Sequence, residues 1–386
     1  MSYRFLATWL VALSALTLRP SAFAEDELAL LAGLTPCELV KHYDYACEVS
    51  YTTTDDGYVL EVDRIRRGRD PGASPTRAED GDGRRRPPVL FLPSFLAASD
   101  MWFLNYPWQS PGFLFVDAGF DVWAMNSRES NPYSYHKTLS KGDPEYWRWS
   151  FDEIGRHDVA AGIDHVLNAT GASKVTLLSL SQGVTIALVL LSTRPEYNDK
   201  VDLVVAYGPI ANVGSMGSPM PLLLKVLQLL TLLMDPGQKG RFVNVHPAVT
   251  VGCQLLGGLL CTSFIELTFL SSPSQFNQTR MPMYGAHYPI GTTVQNLHHY
   301  HQATPPAYPM ERIRTLFAIF SSEGDRMADP RDVDYLVSRL GDNVVLHHVV
   351  PQPTMRHLDF AIGFNATEFL HKAAIDVIHK YADSGS

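Results

Sequence analysis

This sequence predicts an α/β fold: a mostly parallel central sheet flanked by helices on both faces, with one inserted helical cap. Three observations carry the prediction. Six short apolar runs, at residues 89–92, 120–125, 175–178, 203–206, 316–320 and 344–350, are separated by helical stretches. Strands alternating with helices build parallel sheets that are covered on both sides. The alternation lapses between about 211 and 304, the widest gap between strand candidates, which is where a cap fits. Finally, the chain has 386 residues, 46% of them hydrophobic and 18% charged. That is enough apolar surface for a large core, and it excludes a disordered chain, a collagen or a coiled coil. The net charge of −9 argues against a nucleic-acid partner, which selects a basic face.

Taken in order, residues 1–24 read as an address. Arg4 precedes an apolar run over 5–16, and Ala22-Phe23-Ala24 presents small residues at the two positions a signal peptidase inspects. The run is short for a bilayer span, so a cleaved signal peptide is expected rather than an anchor. Losing Arg4 and Arg19 takes the net charge from −9 to −11. No later stretch has about 18 uninterrupted apolar residues, so no transmembrane segment is expected in the mature chain. Export changes how the cysteines read. Cys37, Cys47, Cys253 and Cys261 form two close pairs, spaced for two local disulfides in an oxidising compartment and not as CxxC zinc ligands. Asn168, Asn277 and Asn365 each begin an Asn-X-Thr glycosylation sequon.

Residues 48–63 alternate about Asp56-Gly57, the composition of a hairpin. Residues 64–88 mix Arg, Asp, Gly and Pro. The interleaved acids favour a solvated insertion over a basic recognition loop. Within the gap, residues 222–234 are apolar except for Lys225, Gln228 and Thr231, whose i, i+3 spacing makes one narrow polar stripe on a helix. Two readings stay open: a helix buried on most of its surface, or a cap helix lying over a site or against a lipid surface.

The chemistry centres on Ser181, in Ser179-Leu180-Ser181-Gln182-Gly183. It follows the strand at 175–178 and precedes a helix over 184–191. A sharp strand–serine–helix turn lifts the hydroxyl out of the sheet and aims the helix N-terminus at developing negative charge. Strand and helix crowd together there, so small residues are needed two before and two after the serine. Gly183 meets that need and Ser179 meets it less well. A serine nucleophile needs a base and a group that orients the base. Asp325 follows the run 316–320 and His357 follows 344–350, in the order acid then histidine. Asp329 and Asp359 compete with Asp325, and His347 and His348 with His357, although the rival histidines fall inside the strand. His298, His299 and His301 have no carboxylate or cysteine neighbour and read as ordinary helix positions, so no metal is expected. His157 and His165 add nothing, and no Gly-rich phosphate loop is present.

With those residues in view, the chain resembles the acid lipase family, which includes gastric and lysosomal acid lipases, within the α/β-hydrolase superfamily. The resemblance runs from about 39 to 378. It is carried by Asp55-Asp-Gly-Tyr-Val-Leu60, Asp117-Ala-Gly-Phe-Asp-Val-Trp123, Asn126-Ser-Arg128, Ser150-Phe-Asp-Glu153, Ser181-Gln-Gly183, Gly291-Thr-Thr-Val-Gln-Asn296, Gly324-Asp325, Ala328-Asp-Pro330 and His357-Leu-Asp-Phe360. The resemblance implies Ser181 as nucleophile, His357 as general base and Asp325 as its orienting acid. It also implies backbone oxyanion donors at Phe95 and Gln182, a cap over an apolar acyl pocket, and Cys253 with Cys261 as the cap disulfide. Three departures stand out: Pro93-Ser94 where the family has His-Gly, Ser179-Leu180 where it has Gly-His, and a shorter stretch between Asn296 and Tyr300.

The expected organisation is a signal peptide over 1–24, hydrolase core over 25–210, cap over 211–304 and core again over 305–386. The expected activity is hydrolysis of neutral-lipid esters, triacylglycerols or steryl esters, without a cofactor. Transient contact with a lipid droplet or membrane surface is expected, and a secreted or lysosomal destination. The departures at Pro93-Ser94 and Ser179-Leu180 motivate one alternative, a lipid-binding homologue with impaired catalysis. A short-chain carboxylesterase is another.

Overall fold

The computed structural model describes residues 22–66, 86–219, 222, 225, 226, 229, 240–242, 270–300 and 307–382. Residues 1–21 of the expected signal peptide, most of the Arg-rich stretch, Gln228, Thr231, Cys253, Cys261 and His301 lie outside the described residues.

The hairpin forms about Asp56-Gly57 as its composition predicts. β1 (Ala46–Thr53) and β2 (Tyr58–Arg66) pair antiparallel, and Gly57 takes φ +101 in the turn. The six apolar runs become β3 (Pro88–Leu92), β4 (Asp121–Met125), β6 (Val175–Leu180), β7 (Val201–Tyr207), β10 (Leu316–Ser321) and β11 (Val344–Val349). β5 (Ser134–His136) adds to β2, completing a nine-stranded sheet. Its order is β1-β2-β4-β3-β6-β7-β10-β11, parallel from β4 to β11. Among the described residues between β7 and β10, β8 (Arg241–Phe242) pairs with β9 (Thr292–Thr293) in a separate two-stranded sheet.

The runs of β3, β7 and β10 are continuous because both faces are covered, whereas β11 lies at the sheet edge, is partly buried and carries His347 and His348. Along β3, Val89 and Phe91 join one apolar layer while Leu90 and Leu92 join the other; along β7, Leu203, Val205 and Tyr207 oppose Val204 and Ala206. The first layer is closed by the helices Pro36–His42, Pro111–Asp117 and Lys372–Ala382, through Leu39, Val40, Phe113, Phe115 and Ile378. The second is closed by Ala160–Thr170, Gln182–Thr193 and Pro330–Leu340, through Ile163, Val166, Ile186, Val333 and Leu336. Truncating a leucine in such a layer to alanine costs about 2–5 kcal/mol. This rigidity matters because the candidate chemistry sits on loops at strand ends.

The Arg128 guanidinium lies over the Tyr58 ring, 4.1 Å from its centroid, and bonds both Asp56 and Asp158. This buried clamp fixes the hairpin turn against the chain leaving β4. Cys37 and Cys47 form a disulfide, joining the helix Pro36–His42 to β1. Among the described residues, no helix is long and apolar enough to cross a membrane.

Candidate active site

Ser181 ends β6 and caps the helix Gln182–Thr193. Its backbone takes φ 58, ψ −120, a strained conformation of order 1–3 kcal/mol that persists only where the surroundings impose it. The crowding inferred from sequence is real: a Cβ on Gly183 would lie 3.1 Å from Ser179 Cβ and 3.2 Å from the Pro93 carbonyl oxygen. Ser179 is accommodated because its buried hydroxyl turns to the Val205 carbonyl, 3.4 Å away.

The loops after β10 and β11 supply the partners. Asp325 is buried; its Oδ1 accepts the Met327 and Ala328 N–H groups at 2.8 and 3.0 Å, and its Oδ2 accepts His357 Nδ1–H at 2.8 Å. With every acceptor oxygen of Asp325 committed in this way, the proton on Nδ1 is fixed and Nε2 is left with its lone pair. His357 Nε2 is buried and has no hydrogen-bond partner among the described residues. A buried acceptor of this kind can serve as a general base, and Ser181 Oγ makes no hydrogen bond to it in this structure.

Gly208 joins the halves of the site. The Ser181 N–H donates to the Tyr207 carbonyl at 3.1 Å, and the next residue, Gly208, adopts φ +43. A Cβ there would lie 3.1 Å from Asp325 Oδ2 and 3.3 Å from His357 Nδ1. Gly208→Ala is therefore expected to displace the Asp–His pair and lower kcat by about 10–100-fold. Unfolding monitored by circular dichroism should move only slightly, and a kcat within twofold of wild type would show that the pair tolerates the added methyl.

The rivals are otherwise engaged. Asp329 caps the helix Pro330–Leu340 and pairs with Arg331; Asp359 accepts from Ser271, Ser272 and Arg356. His347 bonds the Ser321 hydroxyl and His348 the Phe369 carbonyl. His299 bonds Ser150 and stacks on Phe151, His165 bonds Ser50, and His157 pairs with Asp55. His157 does approach Asp55 and Asp56 closely enough to share an ion. That cluster is exposed and already balanced by Arg128 and Arg194.

Phe95, expected from the resemblance as an oxyanion donor, lies on a tight turn after β3, closed by the Ala97 N–H to the Ser94 carbonyl at 3.2 Å. Leu96 sits at φ +60, and the Ile290 N–H holds its carbonyl at 2.9 Å. Phe95 packs edge-on against Tyr300, with centroids 6.0 Å apart. Gln182 is buried at the head of the elbow helix. Three residues that the sequence did not single out also converge here: Glu129 and Asn296 bond each other and Gln182, and Asn296 also bonds Thr292. Asn296 and Thr292 fall within a stretch that carries the family resemblance, and Glu129 directly follows another.

Of the sequon asparagines, Asn168 and Asn365 are exposed, whereas Asn277 is only 9% exposed and uses Oδ1 to accept from Thr279.

Comparison with known proteins follows the same lines. Residues 37–106 match the family model described as a partial alpha/beta-hydrolase lipase region, and residues 87–342 match the alpha/beta hydrolase fold. The chain is 30% identical to gastric triacylglycerol lipase from Bos taurus, covering 90% of this chain and 91% of the relative. It is 32% identical to lysosomal acid lipase/cholesteryl ester hydrolase from Homo sapiens, covering 89% and 90%. Among solved structures, carboxylesterase CesB from Bacillus subtilis superposes with a TM-score of 0.52 at 12% identity, covering 95% of this chain and 100% of that one. At that identity the likeness is one of fold.

Proposed function

The chain belongs to the acid lipase family of α/β-hydrolases, and from that membership we propose that it hydrolyses neutral-lipid esters through Ser181, His357 and Asp325. Its fold and relatives make it a carboxylic ester hydrolase. The observation that carries the assignment of residues is the buried Nε2 of His357, with Nδ1 held by Asp325 and packed against Gly208, the residue after the Tyr207 carbonyl that accepts the Ser181 N–H.

In the mechanism these residues support, His357 Nε2 takes the proton of Ser181 as Oγ attacks the ester carbonyl. Asp325 holds the imidazole orientation and balances the imidazolium charge. The Phe95 and Gln182 N–H groups receive the oxyanion, together with the positive end of the elbow helix. His357 then protonates the departing alcohol, leaving an acyl-enzyme. Water, deprotonated by the same Nε2, attacks the acyl carbonyl and releases the fatty acid. A phosphonate ester with an aryloxide leaving group tests the assignment directly. It should block long-chain ester hydrolysis and leave its phosphonyl mass on the peptide containing Ser181; label on a different residue with activity lost would overturn it.

Residues 211–304 form the cap in this reading. Leu222, Val226 and Leu229 are helical, share one face by their i, i+4, i+7 spacing, and are 68%, 47% and 60% exposed. Exposed apolar residues beside Lys225 favour contact with a lipid surface over a fully buried helix. Replacing all three with Glu is expected to lower hydrolysis of an emulsified long-chain triacylglycerol about tenfold or more. Turnover of a dissolved short-chain ester should fall far less. Equal losses on both substrates would assign the face to folding. The apolar leader, the Cys37–Cys47 disulfide and the exposed sequons at Asn168 and Asn365 support a secretory route ending outside the cell or in the lysosome.

A further inference from the structure

Glu129 is a buried carboxyl group that the mechanism leaves unused, and four donors converge on it. Gln182 Nε2 lies 2.5 Å from Oε2 and Asn296 Nδ2 lies 3.2 Å from Oε1. The Leu96 backbone N–H and the Thr292 hydroxyl also face it and favour its charged form. These donors come from separate parts of the chain: the oxyanion turn after β3, the first residue of the elbow helix, and the 292–296 segment. Asn296 locks the assembly further, donating to Gln182 Oε1 at 3.0 Å and accepting the Phe151 N–H at 2.8 Å.

We propose that Glu129 is a positioning residue for the oxyanion hole, strapping the Phe95–Leu96 turn to the head of the elbow helix. The inference rests on the Ser181 reading above. Its physical basis is the backbone of Leu96, held at φ +60 without being glycine. Such strain lasts only while neighbours over-determine it. Here Ile290 holds the Leu96 carbonyl, the Glu129 carboxyl faces the Leu96 N–H, and Ser130 beside it bonds the turn at Ala97. The peptide that carries the Phe95 N–H is one residue away, so release of the strap lets that donor rotate off the oxyanion. The adjacent Ser130 hydroxyl reinforces the same contact by donating to the Ala97 carbonyl at 3.0 Å.

The location has an electrostatic consequence. Burial pushes the Glu129 carboxyl up to about 7. Leu96, Gln182, Thr292 and Asn296 offer it only neutral groups, and Tyr288 and Tyr300, which also face it, are held neutral by burial. Arg128, its chain neighbour, turns its guanidinium to Asp56 and Asp158. In acid the strap is therefore a neutral carboxyl, with the Thr292 hydroxyl able to accept its proton. As the pH rises through about 7, a negative charge develops just behind the donors that must receive a negative oxygen. Oxyanion stabilisation then weakens, and the effect falls on kcat.

The test measures kcat and KM for a dissolved short-chain ester between about pH 5 and 9, and affinity for an alkylboronic acid that forms a tetrahedral adduct with the serine. Wild type, Ser181→Ala, Glu129→Ala and Glu129→Gln are compared. Glu129→Ala should lower kcat about 10–100-fold with KM within about threefold, and weaken the boronate in proportion. Glu129→Gln, which keeps the size and one acceptor oxygen, should recover part of that loss. It should also lack the decline in kcat that wild type shows above about pH 7. A Glu129→Gln enzyme with wild-type kcat, boronate affinity and pH profile would overturn the inference, and that variant decides alone if Glu129→Ala does not fold. Wild-type turnover that survives Ser181→Ala would instead overturn the reading on which it rests.

Discussion

Ser181→Ala is expected to lower kcat for a dissolved ester by about 10⁴–10⁶-fold, with KM changed only a few-fold. The alanine cannot form the acyl-enzyme, so the two-step route through His357 is lost. What remains is water attack assisted by the Phe95 and Gln182 N–H groups, worth about 10³–10⁴ over the uncatalysed rate in comparable sites. Stability should barely respond. Alanine at φ 58 is strained no more than serine, and the neighbouring crowding comes from Gly183 and Ser179, whose atoms are unchanged. A thermal melt therefore separates lost chemistry from lost fold. A loss of less than about tenfold, with the protein folded, would mean that another nucleophile carries the reaction.

Much of this site was legible in the sequence because parallel interior strands leave an unmistakable trace. β3, β7 and β10 are covered on both faces and appear as uninterrupted apolar runs, the edge strand β11 keeps His347 and His348 within its run, and the loops that follow are where functional side chains gather. Thus 316–320 located β10 and led to Asp325, and 344–350 located β11 and led to His357. The run 175–178 stopped two residues short of the end of β6 because Ser179 is polar. The strand nonetheless continues, since that hydroxyl finds the Val205 carbonyl. The rival acids and histidines could be separated only by their partners, which no spacing reveals: Asp329 caps a helix, and His347 and His348 are bonded from within their strand.

Other features were not legible for an equally physical reason. β5 is three residues long and takes its place by pairing with Tyr58–Leu60, so it has no periodic signal of its own. The turn of π-helix at Ile154–Val159 likewise interrupts an ordinary amphipathic helix without a proline or glycine pair to announce it. Gly208 reads as a simple strand end; its need for a missing Cβ comes from Asp325 and His357 far along the chain. Glu129 carries no signal in its own stretch of sequence, and its buried partners Gln182 and Asn296 arrive from 53 and 167 residues away.

Asp325→Asn is the second large effect expected, and it distinguishes orientation from mere proximity. In the native site Oδ1 accepts two backbone N–H groups, at 2.8 and 3.0 Å, while Oδ2 accepts from His357 Nδ1. An asparagine must place its amide NH₂ on one side or the other. Facing Met327 and Ala328 it would set donor against donor, so the NH₂ turns toward His357. Nδ1 then becomes the acceptor, and the imidazole proton moves to Nε2, where it faces Ser181 and cannot take the serine proton. The size and most packing are retained, yet kcat should fall about 10⁴-fold with KM little changed. The matched variant is Asp359→Asn, two residues beyond His357. Asp359 bonds Ser271, Ser272 and Arg356 and touches no reacting group, and burial pushes its carboxyl up to about 7. That substitution should move the melting temperature far more than kcat. If instead Asp359→Asn lost about 10⁴ in kcat and Asp325→Asn lost little, the orienting acid would be Asp359 and the tautomer argument would fail.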